Sequence, residues 1–199
     1  MKVRNSITLT SFLVLIVFTS CTKTPRQVDY IPEGTVSVIR AYNKDMIEKT
    51  GNRGKKVIDR VLKGLNEYGF YNETFDMAMN VLFEDSLQTG INKHTDVMAY
   101  LIPSKEFRNA YKCTSFLLDD SAAFSRYLQK VKSNRYEKLE GTKNCVCYIN
   151  RNDRFSWVAY NDEVVVYGSS TIHTRGILEC VNKIFSHSRK TLARNNDFM

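Results

Sequence analysis

Proline is scarce in this chain, three residues in 199, and glycine numbers only nine. So little of either leaves no material for a long flexible or polyproline linker, and one compact body is the expectation. Histidine is limited to three residues, and His94, His173 and His187 stand far apart, so imidazole ligands for a metal are few. The segment Gly51-Asn52-Arg53-Gly54-Lys55-Lys56 lacks the spacing and the hydroxyl residue of a phosphate-binding loop. Nucleophile-elbow and cysteine-protease signatures are missing as well. These absences leave no catalytic residue to nominate, no cofactor and no metal site. A hydrolase is the reading with least support.

What is present describes an ordinary globular protein: 43% apolar, 25% charged and 12% aromatic residues. The formal charge is +8, and setting aside Lys2 and Arg4 in the first segment leaves 27 basic against 21 acidic groups. Such an excess favours anionic surfaces, though it also serves solubility.

The first 21 residues have the three parts of an export signal. Lys2 and Arg4 supply the positive start, Ile7–Phe18 an apolar stretch diluted by Thr8, Thr10 and Ser11, and Thr19-Ser20 the small residues before Cys21. Twelve apolar-rich residues are too few to span a hydrocarbon core of roughly 30 Å. The cysteine after small residues resembles a bacterial lipobox, with Phe18 where leucine is usual. That resemblance implies cleavage before Cys21 and attachment of acyl chains to its thiol and new amino group. A conventional secretion signal is the competing reading. The expected organisation is a signal peptide over 1–20, anchor and polar tether over 21–29, and a single domain over 30–199. Thr22–Gln27 lacks an acidic run of the kind that resembles a surface-export signal. The expected location is therefore the outer membrane, facing the periplasm. Export removes nucleic acid as a partner.

Along the domain, Thr35–Tyr42 reads as a strand rich in β-branched residues. Lys55–Tyr68 and Glu73–Phe83 carry apolar residues at helical spacing. Asp96–Ile102 and Tyr111–Leu118 follow as a strand pair. Asp119-Asp120-Ser121 supplies capping chemistry for a helix burying Phe124, Tyr127, Leu128 and Val131. Three β segments come next, Asn144–Asn150, Arg154–Tyr160 and Glu163–Gly168, divided by the turn-formers Asn152-Asp153 and Asn161-Asp162. Thr171 can cap a last helix burying Ile177, Cys180, Val181, Ile184 and Phe185. The pattern predicts an α+β fold, an antiparallel sheet with helices packed on one face.

Several short segments carry a family likeness: Tyr30-Ile31-Pro32-Glu33-Gly34-Thr35, Leu87-Gln88-Thr89-Gly90-Ile91-Asn92, Phe116-Leu117-Leu118-Asp119-Asp120-Ser121, Trp157-Val158-Ala159-Tyr160-Asn161-Asp162 and the closing Thr191–Phe198. Together they resemble an uncharacterised family of Bacteroidetes lipoproteins, domain of unknown function 4836. The likeness spans nearly all of 30–199 and implies location and fold, with no catalytic residue attached. Members are usually longer, so this chain resembles a short or single-half relative, with a sheet edge open to a partner.

Four cysteines remain beyond Cys21. Cys145 and Cys147 lie two apart on a strand and cannot readily bridge each other. Buried thiols are the leading reading, ahead of a disulfide joining Cys113 or Cys180 to a strand cysteine, and of metal or redox chemistry. Asp119 and Asp120 read as helix-capping groups before an acid–base pair. Lys56, Arg60 and Lys63 form a basic stripe that can meet lipid phosphates or stand as a solvated helix face. Arg189, Lys190 and Arg194 make the tail basic. Trp157, with Phe155, is a candidate sugar-stacking residue, against the simpler reading of core packing. The function that follows is a lipid-anchored envelope protein, a non-catalytic binding or assembly module whose partner is another envelope protein or a second copy. The alternative is a module for glycan or anionic lipid.

Overall fold

The computed structural model describes residues 27–41, 89–105, 110–132, 135–152, 154–170, 174–186 and 191. Seven strands form one antiparallel sheet: β1 (Ser37–Ala41), β2 (Val97–Pro103), β3 (Ala110–Leu117), β4 (Tyr136–Lys138), β5 (Val146–Asn150), β6 (Ser156–Tyr160) and β7 (Val164–Ser169). The described helices are α1 (Ser121–Lys132) and α2 (Thr174–Ile184). The α+β class and the antiparallel sheet agree with the sequence.

The strand order is β1-β2-β3-β7-β6-β5-β4. After β3 the chain crosses through α1 to the far edge, and β4 to β7 return as a meander until β7 docks beside β3. This seam is long and regular, running from Lys112↔Ser169 to Leu117↔Val164. Asparagine makes the return turns. Asn161 Oδ1 accepts from the Glu163 and Val164 amides at 3.0 and 2.9 Å, folding the β6–β7 corner. Arg154 then takes positive φ just before β6, with its amide donating to the Asn150 carbonyl at 2.9 Å.

The expectation of helices on one face is corrected. Ile177, Cys180, Val181 and Ile184 of α2 pack with Tyr100, Cys113, Trp157, Val164 and Val166 on one side of the sheet. Phe124 and Leu128 of α1 pack with Phe116, Val158, Tyr160, Val165 and Tyr167 on the other. Alternate residues of β7 serve the two cores, so Val164–Tyr167 must be apolar throughout. A strand covered on one face alone would alternate.

Side chains fix the start of α1 and the end of α2. Asp120 Oδ1 accepts the Ala123 amide at 2.8 Å, capping α1. Phe124, Tyr127 and Leu128 turn inward, the first and third fully buried, while the expected Val131 is half-buried and joins neither core. The end of α2 is tied to the 141–144 loop, where Asn182 Oδ1 accepts the Lys143 amide at 2.7 Å and Asn144 Nδ2 donates to the Phe185 carbonyl at 3.3 Å.

Among the described residues, Gln27 to Asp29 already precede the expected boundary at Tyr30. A short 3-10 helix, Gln27–Tyr30, lies against the α2-side core, and Tyr30 and Ile31 are buried within it. The predicted helices Lys55–Tyr68 and Glu73–Phe83, and Thr171, fall outside the described residues.

Candidate functional site

Two features stand out among the described residues: a polar side chain drawn into the core at the start of the body, and a cluster of thiols beneath α2.

Gln27 is 4% exposed although nothing in its local sequence requires burial. Its Nε2 donates to the carbonyl and, at 3.0 Å, to the hydroxyl of Ser115, 88 residues away on the interior strand β3. A buried carboxamide left unpaired would be costly, so these bonds are what lets the segment lie inside. The Tyr30 hydroxyl donates to Glu163 and accepts from Asn161 Nδ2 at 3.2 Å, reaching the β6–β7 corner. Burial, and then the bond to Glu163, pushes the Tyr30 hydroxyl far above its ordinary value and keeps it neutral. Tyr30 also packs on Phe185 with ring centroids 5.9 Å apart. The Ile31 amide closes the turn on Val28 at 3.1 Å, and Pro32 bridges to Thr191 near the end of the chain. Residues 27–32 are thus a plug, bonded into three separate parts of the fold.

Cys113, Cys147 and Cys180 are all buried in the core that α2 covers, and Cys145 packs against its rim. Cys113 on β3, Cys147 on β5 and Cys180 on α2 thus share one core. Cys147 Sγ faces the Tyr148 carbonyl at 3.9 Å, and the Thr142 hydroxyl donates to the Cys145 carbonyl at 3.0 Å. Burial raises Cys113 and Cys147 well above the ordinary thiol value and pushes Cys145 up to about 11. Such thiols are un-ionised at neutral pH, where a nucleophile or metal ligand must be a thiolate. All four are free, and among the described residues no group of three His, Cys, Asp or Glu side chains is placed to hold a metal ion.

The remaining candidates separate. Trp157 is corrected as a sugar-stacking residue: it is 0% exposed, its ring laid over Gly168 on β7. Its Nε1 has no hydrogen-bond partner among the described residues, and neither does the Tyr167 hydroxyl on the opposite face. Phe155, placed beside Trp157 by the sequence reading, is 42% exposed and precedes β6. Asp120 caps α1, and Asp119 accepts from Asn92 Nδ2 at 2.6 Å. Their amides both donate to the Gly90 carbonyl, so this pair is spent on holding the β3–α1 junction. His94 sits exposed in a turn. Cys21, Lys56, Arg60, Lys63, His173, His187, Arg189, Lys190 and Arg194 lie outside the described residues.

Sequence reasoning missed the plug because Gln27 reads as part of a polar tether. Its partner Ser115 is too distant in sequence to advertise the bond. No protein-family model, no curated protein and no solved structure matches this chain.

Proposed function

We propose that the chain is a lipid-anchored protein of the bacterial cell envelope, held through acylated Cys21 to the outer membrane and facing the periplasm. Its body is a non-catalytic binding or assembly module seated close to the lipid. The observation that carries this reading is the burial of Gln27, Tyr30 and Ile31 so soon after the anchor cysteine. Only Thr22–Arg26 lie between them, and five residues span at most about 20 Å. A lipid on Cys21 therefore leaves the body little freedom to swing, and tension on the anchor passes straight into the core through Gln27 and Ser115. Such a connection suits a module that works at the membrane surface.

The non-catalytic part of the reading draws on where the reactive residues are spent. The Cys113 and Cys147 thiols are buried and held un-ionised, the Asp119-Asp120 pair holds a helix start, and Trp157 fills the core. Exposed apolar side chains include Val36 at 67% and Ile39 at 41%, both at the β1 edge of the sheet. An edge strand carrying such residues is suited to contact with a second copy or another envelope protein.

Growth with a clickable fatty acid tests the anchor. The wild-type chain should be labelled and recovered with outer membranes, and Cys21→Ser should lose both properties. Equal labelling of the two proteins would defeat the assignment. Digestion of the wild-type protein by proteinase added to intact cells would overturn the periplasmic orientation.

A further inference from the structure

We infer that the end of the sheet carrying Arg151, Arg154 and Phe155 is a binding site for a phosphorylated sugar, the two guanidiniums taking the phosphate and the aromatic ring the sugar. The inference rests on the reading of the body as a binding module, to which it gives a ligand class, and needs nothing from the anchor.

Positive charge gathers in this part of the chain. Residues 130–155 contain seven basic and three acidic residues, so they hold most of the surplus that remains once Lys2 and Arg4 are set aside. Backbone bonds pin the arginines. The Arg151 amide donates to the Arg135 carbonyl at 2.7 Å, and the Arg154 amide to the Asn150 carbonyl at 2.9 Å. Between them the buried Asn150 accepts the Asn152 amide through Oδ1 at 2.9 Å. Arg154 has a φ of +54°, a left-handed conformation that glycine or asparagine would adopt at lower cost. A tight loop thus holds a long cation where its backbone favours a smaller residue.

One carboxylate stands between the two cations. Glu137 lies 3.7 Å from Arg151 Nε and 3.5 Å from Arg154 Nη2. Charge-assisted hydrogen bonds run at about 2.7–2.9 Å, so Glu137 draws the guanidiniums together without closing such a bond on either. Both side chains remain open to water, 52% and 62% exposed. Two planar forks converging in this way suit an oxyanion with several oxygens, and phosphate is the one that guanidinium pairs match. Asp153, between them in sequence, lies outside the described residues.

Phe155 follows directly and is exposed, with its carbonyl fixed by the Ser170 amide at 3.0 Å just after β7. A ring at the rim of a cation pair offers its face to the C–H surface of a sugar, the role that the enclosed Trp157 cannot fill. Arg154 and Phe155 precede β6, whereas Asn161, which bonds Tyr30, follows its other end. The site is therefore at the opposite end of this strand from the plug, and the source it fits is a saccharide of the compartment and not a headgroup beside the anchor.

The test titrates the full chain carrying Cys21→Ser with glucose 1-phosphate, inorganic phosphate and glucose, followed by ligand-observed NMR in low-salt buffer, where screening is least. Glucose 1-phosphate should bind saturably and more tightly than inorganic phosphate, and glucose should not bind. Arg151→Ala/Arg154→Ala should weaken glucose 1-phosphate by about ten- to a hundredfold. Phe155→Ala should weaken it by about two- to tenfold and leave inorganic phosphate unchanged. Arg154→Gly, which suits the backbone, should hold or raise the thermal midpoint while lowering affinity, so that lost binding is read apart from lost folding. No saturable binding below about 10 mM, or unchanged affinity in the double variant, would overturn the site. Equal weakening of phosphate and sugar phosphate by Phe155→Ala would overturn the sugar. Arginine-dependent binding to phosphatidylcholine–phosphatidylglycerol vesicles, with none to glucose 1-phosphate, would give the site to a lipid headgroup and overturn the saccharide. Failure of the titration leaves the β1 edge, and the assembly role drawn from it, untouched.

Discussion

Gly168→Ala is the sharpest perturbation of the packing described above. A Cβ at this position would lie 2.0 Å from Trp157 Cζ2, 2.2 Å from Cε2 and 2.7 Å from Cη2. Ordinary contact needs more than 3.4 Å, so the ring must retreat by more than an ångström. Trp157 is fully enclosed, and close-packed interiors offer no slack of that size. Overpacking of this kind costs about 1–3 kcal/mol, and a rigid indole held on both sides puts this case near about 3 kcal/mol. With a urea slope of about 2 kcal/mol per molar, the midpoint should fall by roughly 1.5 M. The three clashing atoms belong to the six-membered ring of the indole, which phenylalanine in place of Trp157 would withdraw. Trp157→Phe should itself destabilise, yet adding Gly168→Ala to it should cost much less than in the wild type, a coupling of about 1–3 kcal/mol. Equilibrium urea denaturation followed by circular dichroism measures all four corners. A Gly168→Ala cost below about 0.5 kcal/mol, or strict additivity with Trp157→Phe, would refute the packing argument.

Three further outcomes follow. Gly90→Ala should be more damaging still, because its Cβ would lie 2.0 Å from the Asp120 carbonyl oxygen, part of the backbone, at a φ of +71° that favours glycine; a thermal midpoint near wild type would contradict this. Asp120→Ala should cost about 1 kcal/mol through loss of the α1 cap, whereas Asp120→Asn, which can accept the same amide proton, should recover most of it in the same melt. In reductant, stability should fall as pH rises above about 9, where unfolded thiols ionise while folded Cys113 and Cys147 stay protonated, at about 1.4 kcal/mol per pH unit for each thiol; Cys147→Ala should remove its share, and an alkaline limb unchanged by that substitution would contradict the burial.

Most of the sheet was legible in the sequence because its signals are local. Apolar residues bounded by Asn152 and Asn161-Asp162 announce β5, β6 and β7, and Asp119-Asp120-Ser121 announces α1 to within a residue. The three-residue β4 went unread, since a pattern needs more length than Tyr136–Lys138 provides. Helix placement was misjudged although the clue was present: Val164–Tyr167 is apolar at every position, which only a strand covered on both faces requires. The plug lay beyond reach for another reason. Gln27 meets Ser115 across a long stretch of chain, and no spacing rule connects partners brought together by topology alone.

What is attached to the chain at Cys21 decides whether the body is anchored or free, and the intact mass of protein extracted from envelopes measures that directly. The expected polypeptide begins at Cys21 and carries a diacylglyceryl group on its thiol and an acyl chain on its amine. A mass that retains residues 1–20, or that begins at Cys21 with a bare thiol, would contradict it.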